Sequence, residues 1–267
     1  ICPGASETLV ASGGLYYAWS NGANTATTIV SPSTQTTYTV TVTNSRGCTN
    51  TKSVTVSLKS APTPLIQGPT AICSGQNALL SCSSGSSRVW STGETGTTIV
   101  KMPTATTTYS ITVTHSNGCT SSASKTVVVN PVPGTVITGN LSLCKGMSTT
   151  LTAPPGRTYN WSSGATTAAI TVTPLVTTTY SVTITNTFGC TSTASATVQV
   201  NALPVVNITG TSPICNGSSS ILTAGGGGTY LWSPGGATTS SITVSPTTNT
   251  LYRVTVTNAA GCTASAS

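Results

Sequence analysis

Four segments of the chain share one pattern: TYTVTVTNSRGC (Thr37 to Cys48), TYSITVTHSNGC (Thr108 to Cys119), TYSVTITNTFGC (Thr179 to Cys190) and LYRVTVTNAAGC (Leu251 to Cys262). In each, apolar residues alternate with polar residues for six positions, the polar ones all Ser or Thr except Arg253, an Asn-x-x-Gly or His-x-x-Gly turn follows, and a cysteine closes the run. Period-two alternation marks a strand with one buried face. A strand, a turn and a cysteine recurring in this way confine the chain to a tandem β architecture.

The period is fixed by the tryptophans. Trp19, Trp90, Trp161 and Trp232 are spaced 71 residues apart. Cys2, Cys73, Cys144 and Cys215 keep the same interval, as do Leu9, Leu80, Leu151 and Leu222. Tyr38, Tyr109 and Tyr180 keep it too, while Tyr252 comes one residue late because SPGGA (Ser233 to Ala237) replaces the shorter SNGA (Ser20 to Ala23). Proline-containing joints, APTP (Ala61 to Pro64), NPVP (Asn130 to Pro133) and NALP (Asn201 to Pro204), separate the copies. Proline removes a ladder donor and fixes φ, so each joint ends a strand and stiffens the connection. The joints divide the chain into repeats 1–60, 61–130, 131–201 and 202–267, with repeat 1 expected to lack its first strand and repeat 4 most of its last. On this reading the chain is a slice of a longer array.

Within a repeat, ETLVA (Glu7 to Ala11), YAW (Tyr17 to Trp19), ATTIVSP (Ala26 to Pro32), YTVTVT (Tyr38 to Thr43) and SVTVSL (Ser53 to Leu58) each read as a strand. PLIQG (Pro64 to Gly68) and TVITG (Thr135 to Gly139), ahead of the first cysteine, supply one more. Nothing reads as a helix. Six or seven short one-faced strands in about 70 residues predict a two-sheet, immunoglobulin-like β-sandwich, and four of these in tandem predict an elongated rod. The expected core residues are Trp19, Trp90, Trp161 and Trp232 with Tyr38, Tyr109, Tyr180 and Tyr252.

Composition excludes most chemistry. Only 4% of residues are charged, and the net charge of +7 comes from nine Lys and Arg against two acids, Glu7 and Glu94. The basic residues are scattered singly, without the dense stripe that nucleic-acid binding needs. Glu7 and Glu94 fall in different repeats and no aspartate exists, so neither a carboxylate pair nor a calcium cage can be assembled. The single histidine, His115, occupies a turn position where the other repeats have Asn44, Asn186 and Asn258. No catalytic site, cofactor site or metal site is expected. No run of about 18 apolar residues suggests membrane insertion, and no signal peptide is recognisable at the first residues.

The nine cysteines carry the remaining information. Four pairs recur, Cys2 with Cys48, Cys73 with Cys119, Cys144 with Cys190 and Cys215 with Cys262, at separations of 46 or 47 residues. Such spacings fit disulfides and an oxidising, extracellular compartment better than zinc. Cys82 is left over; it aligns with Ala11, Ala153 and Ala224 and reads as a buried free thiol. The connectivity stays open. Each pair could close within its own domain. In a simple immunoglobulin topology, however, the first cysteine and the second lie at opposite poles, and then Cys2 would reach Cys119 and Cys73 would reach Cys190.

The repeat written from this chain, ICxG, TLTA, YxWSxGATT, ITVSP, TTTYxVTVTNxxGC and TVxV, resembles the Ig-like and PKD-like repeats of very large secreted surface proteins of Bacteroidota, including gliding-motility-associated adhesins. The likeness covers the whole chain. It implies export by the type 9 secretion system and a role as a cell-surface adhesin, filament or stalk. PKD relatives often carry a WxFGDG-type turn, which here is WSNGA (Trp19 to Ala23) without the aspartate, so no metal is implied. The function expected is a structural extracellular repeat region of an adhesin, fibre or filament. Its partners would be neighbouring repeats, like chains and surface glycans. A carbohydrate-binding array, with Phe188 and Tyr16 as the exposed aromatics, and a passive spacer of a secreted enzyme are the alternatives.

Overall fold

Alternation decides the fold strand by strand. In Thr107–Thr114, Tyr109, Ile111 and Val113 point into a core and are 4%, 1% and 0% exposed, while Thr108 and Thr112 face outward. The outward hydroxyls pair across to the neighbouring strand, Thr108 with Thr126 at 2.8 Å and Thr112 with Ser122 at 3.0 Å. β-branched residues suit such a half-buried pleated surface, and each fully buried Ile or Val contributes about 1.5–3 kcal/mol.

The computed structural model describes residues 1–267. The chain is all-β and forms a tandem array of immunoglobulin-like sandwiches. It divides into two compact units, Ile1–Asn130 and Pro131–Ser267. Each unit encloses two separate apolar cores, one for each repeat it contains.

Repeat 2 is representative. One sheet has four strands in the order Ala71–Cys73, Thr120–Asn130, Thr107–Thr114, Ser87–Trp90, and the facing sheet pairs Ala78–Ser81 with Thr98–Lys101. Leu80 and Ile99 from the second sheet pack with Trp90, Ile111, Val113 and Val127 from the first. Repeat 3 has the same arrangement, with Ser142–Cys144, Thr191–Asn201, Thr178–Thr185 and Thr158–Trp161 facing Thr149–Thr152 and Ala169–Val172.

One strand differs from expectation and positions the site. The segment before the first cysteine makes only a single bridge, Gln67 to Ser81 in repeat 2 and Thr138 to Thr152 in repeat 3. Gly68, at φ 135°, passes so close to the facing sheet that a Cβ would lie 2.5 Å from the Leu79 carbonyl oxygen, so only glycine fits there; in repeat 4 the same segment forms a two-residue strand, Ile208–Thr209. The strand forms instead on the cysteine itself. Ala71–Cys73 pairs in parallel with the end of the return strand, and Cys73 lies opposite Asn130. Ser142–Cys144 repeats this, with Cys144 opposite Asn201.

Two core expectations also need adjustment. All four tryptophans are buried, at 6%, 2%, 2% and 1% exposure, but of the four tyrosines only Tyr109 is. Tyr38, Tyr180 and Tyr252 are half-buried and pack against the edges of their cores. On the return strand of repeat 1, Val56 is buried and Val54, on the same side, is 43% exposed.

Candidate functional site: the cysteine joints

The second cysteine of repeats 1, 3 and 4 sits on a turn built by the asparagine four residues before it. The Oδ1 atom of Asn186 accepts from the backbone N–H of Phe188 and of Cys190, both at 3.0 Å, and Asn258 does the same for Ala260 and Cys262. Asn44 holds Arg46 and Cys48 in this way at 2.9 and 3.0 Å. Gly189 (φ 79°) and its counterparts take the left-handed conformation that lets the chain reverse. In repeat 2 the asparagine is His115, and Asn117 takes over by accepting from Cys119 N–H at 3.0 Å. His115 is therefore a turn residue, and its imidazole faces no acid.

The same amides hold the joint. Asn258 Nδ2 donates to the Ala202 carbonyl at 2.9 Å, Asn186 Nδ2 to that of Pro131 at 2.7 Å, and Asn117 Nδ2 to that of Ser60 at 2.8 Å. Ser60, Pro131 and Ala202 are equivalent positions, each just past the end of a return strand. Lys59 Nζ adds a bond to the Asn117 carbonyl. The turn that carries the second cysteine is thus fastened to the residues where its own repeat begins.

The first cysteine is waiting at that place. Ile1 donates from its ammonium to Ser57 O and accepts from Lys59 N–H, so Cys2 lies beside the exit of its repeat, next to Ser60. Cys2 is bonded to Cys119 and Cys144 to Cys262, each with a Cα separation of 5.5 Å. Cys73 and Cys190 also lie in disulfides.

These bonds overturn closure within a domain. Neither Cys2 nor Cys119 takes the partner that pairing inside a repeat assigns, Cys48 or Cys73, and neither Cys144 nor Cys262 takes Cys190 or Cys215. The return strand separates the two cysteines of a repeat, because the second precedes its first residue and the first pairs beside its last. In repeat 2 that strand has 11 residues and spans roughly 35 Å, far beyond the ~7 Å that a disulfide bridges. Cys48 and Cys215, expected in disulfides, are exposed thiols for the same reason: no cysteine of the chain stands where their partner would be. Cys82 is a buried thiol, 2% exposed, packed in the core of repeat 2.

Other chemistry is sparse. Glu94 pairs with Lys101 and accepts from Thr92, and these two contacts hold its carboxyl at about 2. No three His, Cys, Asp or Glu side chains gather to hold a metal ion. Phe188 and Tyr16 are exposed at 61% and 70%, at positions that do not correspond. The four indoles are enclosed, each N–H donating to a backbone carbonyl six or seven residues on: Thr25, Gly96, Thr167 and Thr239.

No protein-family model matches the chain, and no curated protein does. Among solved structures, domains 1–5 of Sidekick-1 align over 99% of this chain and 76% of theirs, with 12% identity and a TM-score of 0.29. A 1.5-MDa bacterial ice-binding adhesin aligns over 75% of this chain and 92% of its own, with 17% identity and a TM-score of 0.29. The insect immune protein hemolin aligns over 75% and 72%, with 16% identity and a TM-score of 0.33. At these values nothing known of those proteins transfers to this chain.

Proposed function

We infer that the chain is a structural, non-catalytic repeat region of an extracellular adhesin, fibre or filament. The observation that carries this reading is the fastening of one repeat to the next by disulfides, Cys2 to Cys119 and Cys144 to Cys262. Covalent links between successive sandwiches suit a structure that is stretched along its length. Tension on the chain then meets a covalent bond at the joint instead of a short proline-containing connection alone. Disulfides persist in oxidising compartments, which supports a place outside the cell.

The surface fits the same reading. With 4% charged residues and hydroxyl pairs such as Thr179 with Thr197 and Thr39 with Ser53 on the outer sheet faces, the repeats offer a hydrated, nearly uncharged exterior. Its partners on this reading are like chains and surface glycans. The resemblance of the repeat to Bacteroidota surface proteins supports a cell-surface adhesin delivered by type 9 secretion. A carbohydrate-binding array falls behind because the recurring aromatics are enclosed, and those that are exposed, Tyr16 and Phe188, do not recur.

Single-molecule stretching of the oxidised and the reduced chain tests the reading. The oxidised chain should resist extension at forces where the reduced chain unfolds repeat by repeat. Identical traces in the two states would remove the load-bearing role.

A further inference from the structure

The amide that holds a joint changes place in repeat 2, and with the place its chemistry changes. Asn186 and Asn258 donate to their joint carbonyls and are followed by Thr187 and Ala259. In repeat 2 His115 stands at that position, the donor is Asn117, and the residue after it is Gly118. The amide carbon of an asparagine side chain is open to attack by the backbone nitrogen of the next residue, and a β-carbon on that residue crowds the attack. Glycine has none. The shift of two places therefore sets this joint on a bond that is able to modify itself.

In the closed joint Asn117 is clamped. Its Nδ2 donates to the Ser60 carbonyl at 2.8 Å and to Ser60 Oγ at 3.4 Å, its Oδ1 accepts from Cys119 N–H at 3.0 Å, and the attacking group, Gly118 N–H, donates to the His115 carbonyl at 2.9 Å. A side chain held at both its oxygen and its nitrogen is kept from turning its amide carbon onto the neighbouring backbone nitrogen. The bonds to Ser60 leave repeat 2 and last only while the joint is closed. Asn21–Gly22, in the tryptophan turn of repeat 1, supplies the contrast. There Nδ2 donates to Thr28 Oγ1 at 2.9 Å, Oδ1 accepts from Ala23 N–H at 3.2 Å and Gly22 N–H donates to the Trp19 carbonyl at 2.9 Å, all within one repeat.

We propose that Asn117–Gly118 is a deamidation site gated by the joint between repeats 1 and 2, protected while the joint is closed and self-modifying once it opens. The Gly118 nitrogen bonds to Asn117 Cγ, the Cγ–Nδ2 bond breaks, and Nδ2 leaves as ammonia with the proton that Gly118 N gives up. The cyclic imide then takes up water and opens at either of its carbonyls, leaving aspartate or isoaspartate at position 117. Water is the only co-reactant. A carboxylate there has no proton to donate to the Ser60 carbonyl, and isoaspartate also adds a methylene to the backbone of the turn that carries Cys119. Each opening of the joint thus carries a chance of leaving it permanently altered. This goes beyond the reading as an adhesin or fibre and holds whether or not the surface adheres to anything.

The test incubates the full oxidised chain beside the full chain carrying Cys2→Ser and Cys119→Ser, which removes the bond across this joint and leaves the Cys144–Cys262 bond in place. Peptide mass spectrometry follows deamidation at Asn117 and at Asn21 in both. A group shielded by a local closed structure reacts through its opening, so Asn117 should deamidate at least about fivefold faster in the double variant, with the rate at Asn21 unchanged. Equal rates at Asn117 in the two chains would overturn the proposal. So would a rate at Asn21 that rises as steeply as that at Asn117, because the protection would then come from the fold as a whole and not from the joint.

Discussion

The tryptophan strand and the cysteine turn recur with the same period, but the structure surrounds them differently. Every tryptophan has the same neighbours: a turn of its own repeat closes back on its backbone N–H through Ala23, Glu94, Ala165 or Ala237, and its indole is enclosed. The cysteine turn has identical internal bonds in Asn44, Asn186 and Asn258, yet Cys48 is exposed while Cys190 and Cys262 are fully buried. The partners of the tryptophan lie within one repeat. Those of the cysteine lie in another, so its environment is a property of the array.

The largest break in this comparison comes from the disulfide. Cys119→Ser opens a bond that spans 117 residues, worth about 5 kcal/mol in the chain-entropy model, whereas Cys48→Ser should change stability by less than about 0.5 kcal/mol. Denaturant unfolding of the full oxidised chain reads both; equal effects would erase the distinction between the two turns. Next, Trp90→Ala and Trp161→Ala should each cost about 3–5 kcal/mol and agree with one another within about 1 kcal/mol, because the indoles are equally enclosed. A large disagreement, seen in the same unfolding experiment, would mean that the tryptophan site also depends on its place in the array.

Smaller effects separate the asparagines. Asn258→Ala loses two turn bonds and the bond to Ala202 and should cost about 2–3 kcal/mol, while Asn44→Ala loses only the turn bonds and should cost about 1–2 kcal/mol. The smallest effect concerns Glu94, whose side chain stands where the other tryptophan turns have alanine. Its carboxyl is lowered from 4.5 to about 2, first by Lys101 and then by Thr92. The folded state thus holds this proton less tightly than the unfolded chain does, so the contribution is complete above pH 4.5 and disappears as the pH falls toward 2. An NMR titration should find the Glu94 carboxyl still ionised at pH 3.5, and Lys101→Met should return it toward 4.5. A midpoint near 4.5 in the parent chain would dissolve the ion pair.

Much of the fold was legible because it is local. The alternation in Thr107–Thr114 sorts its own side chains, the 71-residue spacing of the tryptophans marks one enclosed site per repeat, and Cys82 sits where alanines line the same strand. What escaped is non-local. The parallel strand Ala71–Cys73 has three residues, too few for a period, and it exists because Val128–Asn130, some 57 residues later, returns beside it. The one trace in the sequence is the apolar residue before each first cysteine, Ile1, Ile72, Leu143 and Ile214, of which Ile72 and Leu143 are core residues. Once that strand places the first cysteine at the far end of the return strand, closure within a repeat is impossible. The tyrosines escaped for a different reason: alternation gives the side a ring takes, not how deep it goes, and Tyr109 is buried where Tyr38, Tyr180 and Tyr252 stop at the edge.

Non-reducing peptide mapping of the full chain tests the central claim most directly. It should yield one peptide pair joined through Cys2 and Cys119 and another through Cys144 and Cys262, with Cys48 and Cys215 recovered as alkylated thiols; a peptide joining Cys2 to Cys48 or Cys144 to Cys190 would contradict the account.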